Sequence, residues 1–381
     1  MMTRNTAEYW TNSHPTWNAD NPLICCHITQ ETPDVKSFFF KPEKFANFQF
    51  LPGQFITLEL TINAEIIHRS YTVSSSPARP HTISITVKRQ PNGIVSNWLH
   101  DHLKVGDHVA VLPIAGDFSC SLHISSNAAK QYLFLSGGSG ITPLMSMSRS
   151  FHDLAENKDI VFIHSARTPE DIIFRQELDL MAFSQPNFRT AFICEKADAA
   201  WTQPTGYLTI DLLKQIAPDF LQREIFTCGP SPYMAAVRNM LKNADFNMQH
   251  YHEESFNFAE MSAHFDENTE TLNENGKTKV EPSLPATNGH VINNKTFSVE
   301  LSKSGATIDC AADQFVLNAA HNAGFRLPSA CSKGLCGTCK SKLISGIVDM
   351  KHNGGIRPRE IEQGLFLPCC SKPLSDLVVE R

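Results

Sequence analysis

The sequence has no run of about 18 consecutive apolar residues, which a membrane-spanning helix would need. Its first 21 residues show no basic segment followed by an apolar one, so we expect no secretory signal peptide. The net charge is only -6, and no basic patch or helix-turn-helix pattern stands out, which argues against nucleic acid as a partner. These absences predict a cytoplasmic protein with neither a membrane nor a nucleic-acid partner.

Paired C-x2-C units, which are usual in structural zinc sites, are also missing, since the eleven cysteines include only one such unit. Three cysteines have the spacing C-x4-C-x2-C and a fourth follows further on, which is the plant-type [2Fe-2S] pattern. A structural zinc site is the alternative. The pattern predicts a cluster ligated by Cys331, Cys336, Cys339 and Cys369. Cys370 and Cys310 we interpret as small buried side chains.

Composition divides the 381 residues, of which 41% are hydrophobic, into segments. Residues 258–294 are rich in Asn, Glu, Thr and Pro without an apolar period, which is typical of a flexible linker. Residues 22–125 contain short runs of alternating apolar and polar residues separated by glycines, which predicts an antiparallel β-barrel. Residues 126–257 alternate strands with helices, which predicts an α/β domain with a parallel sheet. Residues 1–21 are an N-terminal extension, and 295–381 form a compact C-terminal module.

A glycine-rich turn, SGGSGITP, follows one predicted strand and begins a helix, so its backbone N–H groups can face a pyrophosphate. A second turn, CGP, ends another predicted strand. Two such turns can flank one nicotinamide, although a ligand-free tight turn and a core cysteine are the alternatives. The turns predict a nucleotide site formed by Gly137, Gly138, Gly140, Thr142, Pro143, Cys228, Gly229 and Pro230.

A third pattern is the strand RSYTVSS, which alternates a cation, a phenol and hydroxyls. The arginine can bind a phosphate bidentately, the tyrosine can pack against an isoalloxazine, and a hydroxyl can bond ring or ribityl groups. The segment GIVS offers N–H groups and a hydroxyl at a helix start, which suits a pyrophosphate. Together the two segments favour FAD over an ordinary strand with a surface arginine. The strand residues expected at the flavin are Arg69, Ser70, Tyr71, Thr72 and Ser74.

The motifs RSYTVSSSP, GIVSNWLHD, LSGGSGITPLMSM, CGPSPYM and ACSKGLCGTCKSKL, in this order, resemble the ferredoxin–NADP reductase superfamily with a C-terminal plant-type ferredoxin module. The resemblance implies a multidomain fold: an antiparallel β-barrel that binds FAD, an α/β parallel-sheet domain that binds NAD, and an α+β β-grasp ferredoxin domain. It also implies that further FAD contacts come from Val87, Lys88, Gly93, Val95 and Ser96.

The same resemblance implies roles for individual residues. Thr142 would lie between flavin and nicotinamide, Cys228 beside the nicotinamide, and Phe256 near the flavin face. NADH is implied over NADPH, although Arg167 is placed where it could meet a 2′-phosphate. The resemblance implies that electrons pass from NADH to FAD, then to the [2Fe-2S] cluster, and then to a partner protein.

Within the superfamily the sequence is similar to two groups. One is the reductase component of glycine betaine monooxygenase, a Rieske-type system, and the other is the NADH reductase of hybrid-cluster protein. The partner would be the oxygenase component in the first case and hybrid-cluster protein in the second. A redox sensor or electron-storage module without an enzyme partner is a third interpretation, of a different class.

Overall fold

A computed structural model describes residues 15–122, 131–256, 295–325, 327, 334, 337, 339–352, 355–356 and 358–381. The chain divides into two units, of which the first contains a barrel and a parallel sheet and the second a mixed sheet. The predicted linker lies outside the described residues, as do residues 1–14. Residues 15–21 of the predicted N-terminal extension are described, and the ring of Trp17 in this segment lies 5.2 Å from that of Phe48 in the barrel.

The first sheet is an antiparallel barrel, as its alternating pattern predicted. Six strands follow the order β4-β3-β6-β1-β2-β5. A bridge between Val73, directly after β4, and Ile85 in β5 joins the two outer strands and closes the sheet. The elements are β1 Leu23–Thr32, β2 Val35–Pro42, β3 Phe55–Ile62, β4 Glu65–Thr72, β5 Ile83–Lys88, helix α1 Ile94–Asp101 and β6 His108–Val111.

The second sheet has five parallel strands in the order β11-β10-β7-β8-β9. The chain order reverses between β7 and β10, and ligands of such sheets bind at this switch point, beyond the carboxyl ends of the strands. The strands are β7 Gln131–Gly137, β8 Asp159–Ala166, β9 Phe188–Cys194, β10 Glu224–Pro230 and β11 Tyr251–Phe256. The helices are α2 Ile141–Asp153, α3 Arg175–Ser184, α4 Ile210–Ile216 and α5 Ser231–Asn243.

Both faces of the parallel sheet are buried, which explains why its strands are almost continuously apolar. One face carries Phe134, Phe162 and Phe226, with ring centroids 5.8 to 6.0 Å apart. The barrel packs against this face, since the ring of Phe118 lies 5.6 Å from that of Phe226. The residues that follow Phe226 on the same face therefore point towards the barrel.

The second unit is built on a five-stranded mixed sheet in the order β13-β12-β18-β14-β16. Strands β12 and β18 are parallel, and the other neighbours are antiparallel. A two-stranded sheet, β15 and β17, lies beside it. The elements are β12 Thr296–Leu301, β13 Ala306–Ala311, α6 Val316–Asn322, β14 Ser341–Ser345, β15 Val348–Met350, α7 Pro358–Glu362, β16 Leu365–Phe366, β17 Ser371–Pro373 and β18 Leu377–Glu380.

Arg223, directly before β10, is the largest fully buried side chain of the described residues. Its guanidinium donates to Asp219 at 2.9 and 2.6 Å, to Asp159 at 3.0 and 3.3 Å, and to the carbonyl oxygen of Tyr132 at 3.1 Å. These bonds join the amino-terminal edges of β7, β8 and β10. A buried cation with this many partners fixes the edge of the sheet that lies opposite the switch point.

Replacing Arg223 by methionine keeps much of the volume and removes every one of these bonds. Breaking a buried ion pair from one side costs about 3–5 kcal/mol, and the partial exposure of both carboxylates brings the expected loss here to about 3 kcal/mol. We expect the melting temperature of the unit that contains the parallel sheet to fall by roughly 6–12 °C in calorimetry.

The matched control is Arg238→Met, because Arg238 pairs with Glu253 but is 37% exposed. An exposed pair contributes less than about 1 kcal/mol. Equal shifts for the two variants would show that burial of Arg223 contributes nothing.

Candidate functional site

Strand β4 presents the proposed flavin residues along one edge of the barrel. In its register with β3, Arg69 lies opposite Leu58, and Tyr71 lies opposite Ile56. Burial raises the pKa of the Tyr71 phenol, while the nearby Arg69 opposes that rise, so the phenol stays protonated. The Thr72 hydroxyl is buried, and it has no hydrogen-bond partner among the described residues. A buried oxygen without a partner is unfavourable and indicates a group that is completed by something else, such as a bound cofactor.

The hydroxyls of Ser70 and Ser74 are already engaged. Ser70 Oγ lies 2.8 Å from Thr57 Oγ1. Ser74 Oγ is fully buried and lies 2.9 Å from both Ser84 Oγ and Thr86 Oγ1. Their partners were not identified from the sequence, because all three lie on neighbouring strands. This placement favours Thr72 over Ser74 as the hydroxyl that is available to a ligand.

Helix α1 begins where the segment GIVS predicted an anion site. Ser96 Oγ donates to the carbonyl oxygen of Gly93 at 3.2 Å and accepts from the N–H of Gln90 at 3.1 Å. A Cβ at Gly93 would lie 2.5 Å from Ser96 Oγ, so the turn requires glycine. The first turn contains no acidic residue, and its N–H groups therefore keep the partial positive charge of a helix start.

Strand β5 leads into this turn and carries the next two candidates. The Val87 side chain is buried, and its carbonyl oxygen accepts from His100 Nε2 at 2.9 Å. The Lys88 ammonium lies 3.3 Å from Asp34 Oδ2. Lys88 is therefore positioned by a carboxylate from the turn between β1 and β2, which the sequence did not indicate.

The two glycine-containing turns meet at the switch point, as predicted. A Cβ at Gly140 would lie 2.3 Å from the carbonyl oxygen of Cys228 and 2.5 Å from the amide nitrogen of Gly229, so only glycine allows this approach. Gly137 packs against Tyr233, since a Cβ added at Gly137 would lie 3.0 Å from the tyrosine ring. Gly138 has a φ of +52°, in the left-handed region. The close backbone approach forms a narrow cradle between β7 and β10.

Thr142 and Cys228, beside this cradle, are buried and uncharged, and Glu254, in register with Cys228, brings one carboxylate near them. Thr142 Oγ1 donates to the carbonyl oxygen of Ser139 at 3.2 Å, which fixes its rotamer at the start of α2. Burial, assisted by the negative charge of Glu254, raises the pKa of the Cys228 thiol well above its usual range. Cys228 therefore remains a neutral thiol. Pro143 is buried in the first turn of α2, and Pro230 lies in register with Phe256, whose side chain lies outside the described residues.

A buried histidine on the same face was missed from the sequence. His164 lies in register with Ser136, which in turn lies in register with Cys228. His164 Nδ1 and Ser136 Oγ are 2.7 Å apart, and burial lowers the pKa of the imidazole to about 3. The run IVFIHSA gave only a weak signal, namely one polar residue in an apolar strand. The row of uncharged polar groups at the carboxyl ends of three strands suits a reduced nicotinamide, whose ring carries no charge.

Helix α2 connects the turn of Gly140 to the flavin strand. Ser146 Oγ donates to the carbonyl oxygen of Ser75 at 2.8 Å, and Arg149 Nη1 donates to that of Ser74 at 2.7 Å. Glu177 holds Arg149 through bonds of 2.8 and 2.6 Å. The residues directly after β4 are thus fixed to the helix that begins at the other cofactor site.

In the second unit, two of the four proposed cluster ligands are described. Cys339 and Cys369 are 3% and 4% exposed, so both thiols face the interior, whereas Cys331 and Cys336 lie outside the described residues. Gly334 has a φ of +68°, and a Cβ there would lie 2.7 Å from Cys370 Sγ. Cys310 is buried in β13, in agreement with the interpretation of a small core side chain.

Charged groups border Cys339, one of the proposed cluster ligands. Lys340 Nζ and Glu360 Oε1 form a buried ion pair at 2.7 Å. Arg381 donates to the carbonyl oxygen of Lys340 and to Ser341 Oγ, the latter at 2.9 Å. The two residues that follow Cys339 are therefore held in place by buried bonds.

These features fit the predicted cofactors. The unpartnered Thr72 hydroxyl and the acid-free start of α1 suit a flavin dinucleotide, and the glycine cradle at the switch point suits a nicotinamide nucleotide. Buried thiols beside left-handed glycines suit an iron–sulfur cluster.

Comparison with known proteins supports the same three parts. Models of an oxidoreductase FAD-binding domain, an oxidoreductase NAD-binding domain and a 2Fe-2S iron-sulfur cluster binding domain match residues 23–119, 134–239 and 299–374. Phthalate dioxygenase reductase shares the fold, with a TM-score of 0.52 and 24% identity, and the match covers 96% of this chain and 100% of that one. The predicted fold class and cofactor classes are confirmed. Among the described residues, no helix is long and apolar enough to cross a membrane.

Two relatives bear on the two groups named from the sequence. The glycine betaine monooxygenase reductase subunit of Chromohalobacter salexigens is 43% identical over 378 residues, which are 98% of this chain and 97% of that protein. NADH oxidoreductase HCR of Escherichia coli is 29% identical over 357 residues, which are 93% of this chain and 95% of that protein. The chain is therefore an electron-transfer oxidoreductase with FAD, NAD and [2Fe-2S] domains, and it belongs to the family of the glycine betaine monooxygenase reductase subunits.

Proposed function

We propose that this chain is the reductase subunit of a Rieske-type oxygenase system that oxidises glycine betaine or a related quaternary amine. The observation that carries the proposal is 43% identity along nearly the whole chain to a reductase subunit of that name, against 29% to the hybrid-cluster protein reductase group. Substrate choice would belong to the oxygenase, because the described residues of this chain build cofactor sites.

The residues proposed to hold FAD lie on β4, at the end of β5 and at the start of α1. When bound, FAD accepts two electrons from reduced nicotinamide and releases them one at a time to the [2Fe-2S] cluster. Arg69 would bind phosphate, Tyr71 would pack against the ring, and Thr72 would supply a hydroxyl. The remaining proposed FAD contacts are Ser70, Ser74, Val87, Lys88, Gly93, Val95 and Ser96.

The residues proposed at the nicotinamide act by shape and by presenting uncharged polar groups. Gly137, Gly138, Gly140 and Gly229 let backbone N–H groups approach the nucleotide, and Pro143 and Pro230 stiffen the two turns. Thr142 and Cys228 present a hydroxyl and a neutral thiol. Phe256 would lie at the flavin face. Because electron transfer between bound rings depends on distance and orientation, these side chains position the rings and need not exchange protons.

The cluster is proposed to be ligated by Cys331, Cys336, Cys339 and Cys369. We further propose the domain boundaries 22–125, 126–257 and 295–381, with residues 258–294 as the linker, on the basis of composition. A cytoplasmic location is proposed because NADH is the electron source and because no disulfide joins the described cysteines.

The proposed partner is tested by anaerobic, NADH-dependent reduction of two purified acceptors, a glycine betaine oxygenase component and a hybrid-cluster protein. We expect the oxygenase to be reduced at least tenfold faster at equal concentration, with ferricyanide reduction as the control for intact flavin chemistry. Faster reduction of hybrid-cluster protein would refute the oxygenase assignment.

The contact of Gly140 with Cys228 is tested by Gly140→Ala. Because a Cβ would lie 2.3 Å from a backbone oxygen, the turn must open. We expect KM for NADH to rise about tenfold, equivalent to about 1.4 kcal/mol, while the flavin absorption spectrum is retained. Gly206→Ala is the control, since that glycine has a φ of +99° and open space around it, so it should lose stability without a change in KM. Similar KM values for both variants would show that the close approach of Gly140 to Cys228 does not contribute to NADH binding.

The cysteine doublet is tested by Cys369→Ser and Cys370→Ser. We expect Cys369→Ser to lose cluster iron and the cluster's electron paramagnetic resonance signal while ferricyanide reduction continues. Cys370→Ser should keep the iron, because Cys370 Sγ is engaged by the carbonyl oxygen of Leu367, to which it donates at 3.6 Å. Loss of iron from Cys370→Ser alone would move the ligand assignment to Cys370.

A further inference from the structure

Two neighbouring segments of the second unit carry the proposed ligands Cys339 and Cys369. Strands β14 and β16 pair antiparallel, with Ser341 opposite Phe366. Cys339 lies two residues before Ser341, and Cys369 lies three residues after Phe366, so both thiols lie at the same end of this ladder. The position of one ligand relative to the other therefore depends on how these two segments are joined.

Lys340 and Glu360 join the same two segments through their side chains. Lys340 follows Cys339 directly, and Glu360 lies in α7, which leads into β16. Lys340 Nζ lies 2.7 Å from Glu360 Oε1, and the two side chains are only 6% and 11% exposed. The pair is thus a buried ionic connection beside a proposed cluster ligand.

The main chain on the Cys339 side of the pair is also fixed. Arg381 donates to the carbonyl oxygen of Lys340 and to Ser341 Oγ. Ser341 Oγ in turn donates to the carbonyl oxygen of Cys339 at 3.0 Å. Because these bonds lead to the backbone of the ligand itself, the Lys340 ammonium has a fixed position relative to Cys339.

Stability alone does not explain this pair. Taking two charges out of water costs about as much as their attraction returns, and apolar side chains of similar volume are often equally stabilising. The reduction potential of an iron–sulfur cluster, in contrast, depends on nearby charge, because reduction adds one negative charge to the cluster. The Lys340 ammonium favours the reduced state, and the Glu360 carboxylate favours the oxidised state. At 2.7 Å from each other, the two charges largely balance.

We propose that Lys340 and Glu360 are positioning residues for the [2Fe-2S] cluster, which join the segments of Cys339 and Cys369 and set the cluster's reduction potential by balancing the charge beside it. The inference rests on the proposed cluster ligands, and it names two residues outside the ligand set that determine how readily the cluster accepts an electron.

Other charges near the pair are the same in wild type and in variants of the pair. Arg381 is a second cation on the Cys339 side, and its guanidinium keeps both of its acceptors when Lys340 or Glu360 is replaced, since neither acceptor is a side-chain atom of the pair. The remaining charged residues of α7, β14 and β18 are exposed to water, which screens them: Arg359, Glu362, Lys342 and Glu380. A change in potential between variants therefore reports the pair.

The test is a mediated redox titration of the FAD- and cluster-containing protein, followed by the electron paramagnetic resonance signal of the reduced cluster. At a fixed solution potential, we expect Glu360→Gln to raise the ratio of reduced to oxidised cluster about tenfold and Lys340→Met to lower it about tenfold. For one electron, a tenfold change is about 59 mV. The double variant, which removes both charges, should differ from wild type by less than about threefold.

The opposite signs distinguish a balance of charge from a role in stability, because a loosened fold would shift both single variants in the same direction. Glu360→Gln keeps the shape of the side chain, so it decides the outcome even if Lys340→Met retains less iron. Shifts of the same sign, or an unchanged potential in Glu360→Gln, would overturn the proposal.

The matched control is the pair of Lys351 and Asp349 in the same unit. Their side chains are 84% and 46% exposed and lie 3.7 Å apart, and the N–H of Lys351 donates to the carbonyl oxygen of Cys370, next to the other proposed ligand. Because water screens these charges, Lys351→Met and Asp349→Asn should change the ratio less than about twofold. Shifts as large as those of the buried pair would contradict the role of burial.

The titration is independent of the physiological acceptor. Its mediators replace both NADH and the partner protein, so a failure to reduce the oxygenase component would refute the proposed function and leave the measured potentials unchanged. Conversely, equal potentials in wild type and Glu360→Gln would refute the role of the pair even where the oxygenase is reduced.

Discussion

The geometry of the first unit depends on helix α2, which begins at the proposed nicotinamide site and is bonded to the residues directly after the proposed flavin strand. Gly140 and Thr142 lie at its start, and Ser146 and Arg149 donate to the carbonyl oxygens directly after β4. Glu177 fixes Arg149 with two bonds, so the connection has little freedom. Because transfer between two bound rings falls off with small displacements, a rigid helix across both sites explains how two separately folded sheets keep one reactive distance.

Much of the fold could be predicted from local patterns. Alternation in TISITVKR predicted a barrel strand, and the observed β5 spans Ile83–Lys88. The turn SGGSGITP predicted a strand followed by a helix, and the structure adds the reason for its third glycine, which is the carbonyl oxygen of Cys228. Such patterns carry both element type and turn chemistry, because each is decided by residues a few positions apart.

The partners of the site residues could not be predicted in this way. Arg167 and Asp34 are separated by 133 positions in the sequence, and His164 and Ser136 by 28. The order of strands in a sheet brings such residues together, and no local period encodes that order. A single polar residue in an apolar strand, such as His164, indicates that its side chain has a hydrogen-bond partner, but the sequence does not identify that partner.

The ion pairs of the arginine side chains are the part of the structure that most changes the interpretation of the sequence. From the sequence, Arg167 is a possible 2′-phosphate ligand, but Arg167, like Arg79, Arg149 and Arg223, pairs with a carboxylate of the first unit. Backbone groups that can meet phosphate are the N–H groups at the start of α1 and those of the glycine turn. Fixed backbone dipoles bind an anion without the side-chain ordering that a long arginine requires, so they suit coenzymes that must stay in one orientation. Arg79 and Arg167 instead form ion pairs between the barrel and the parallel-sheet domain.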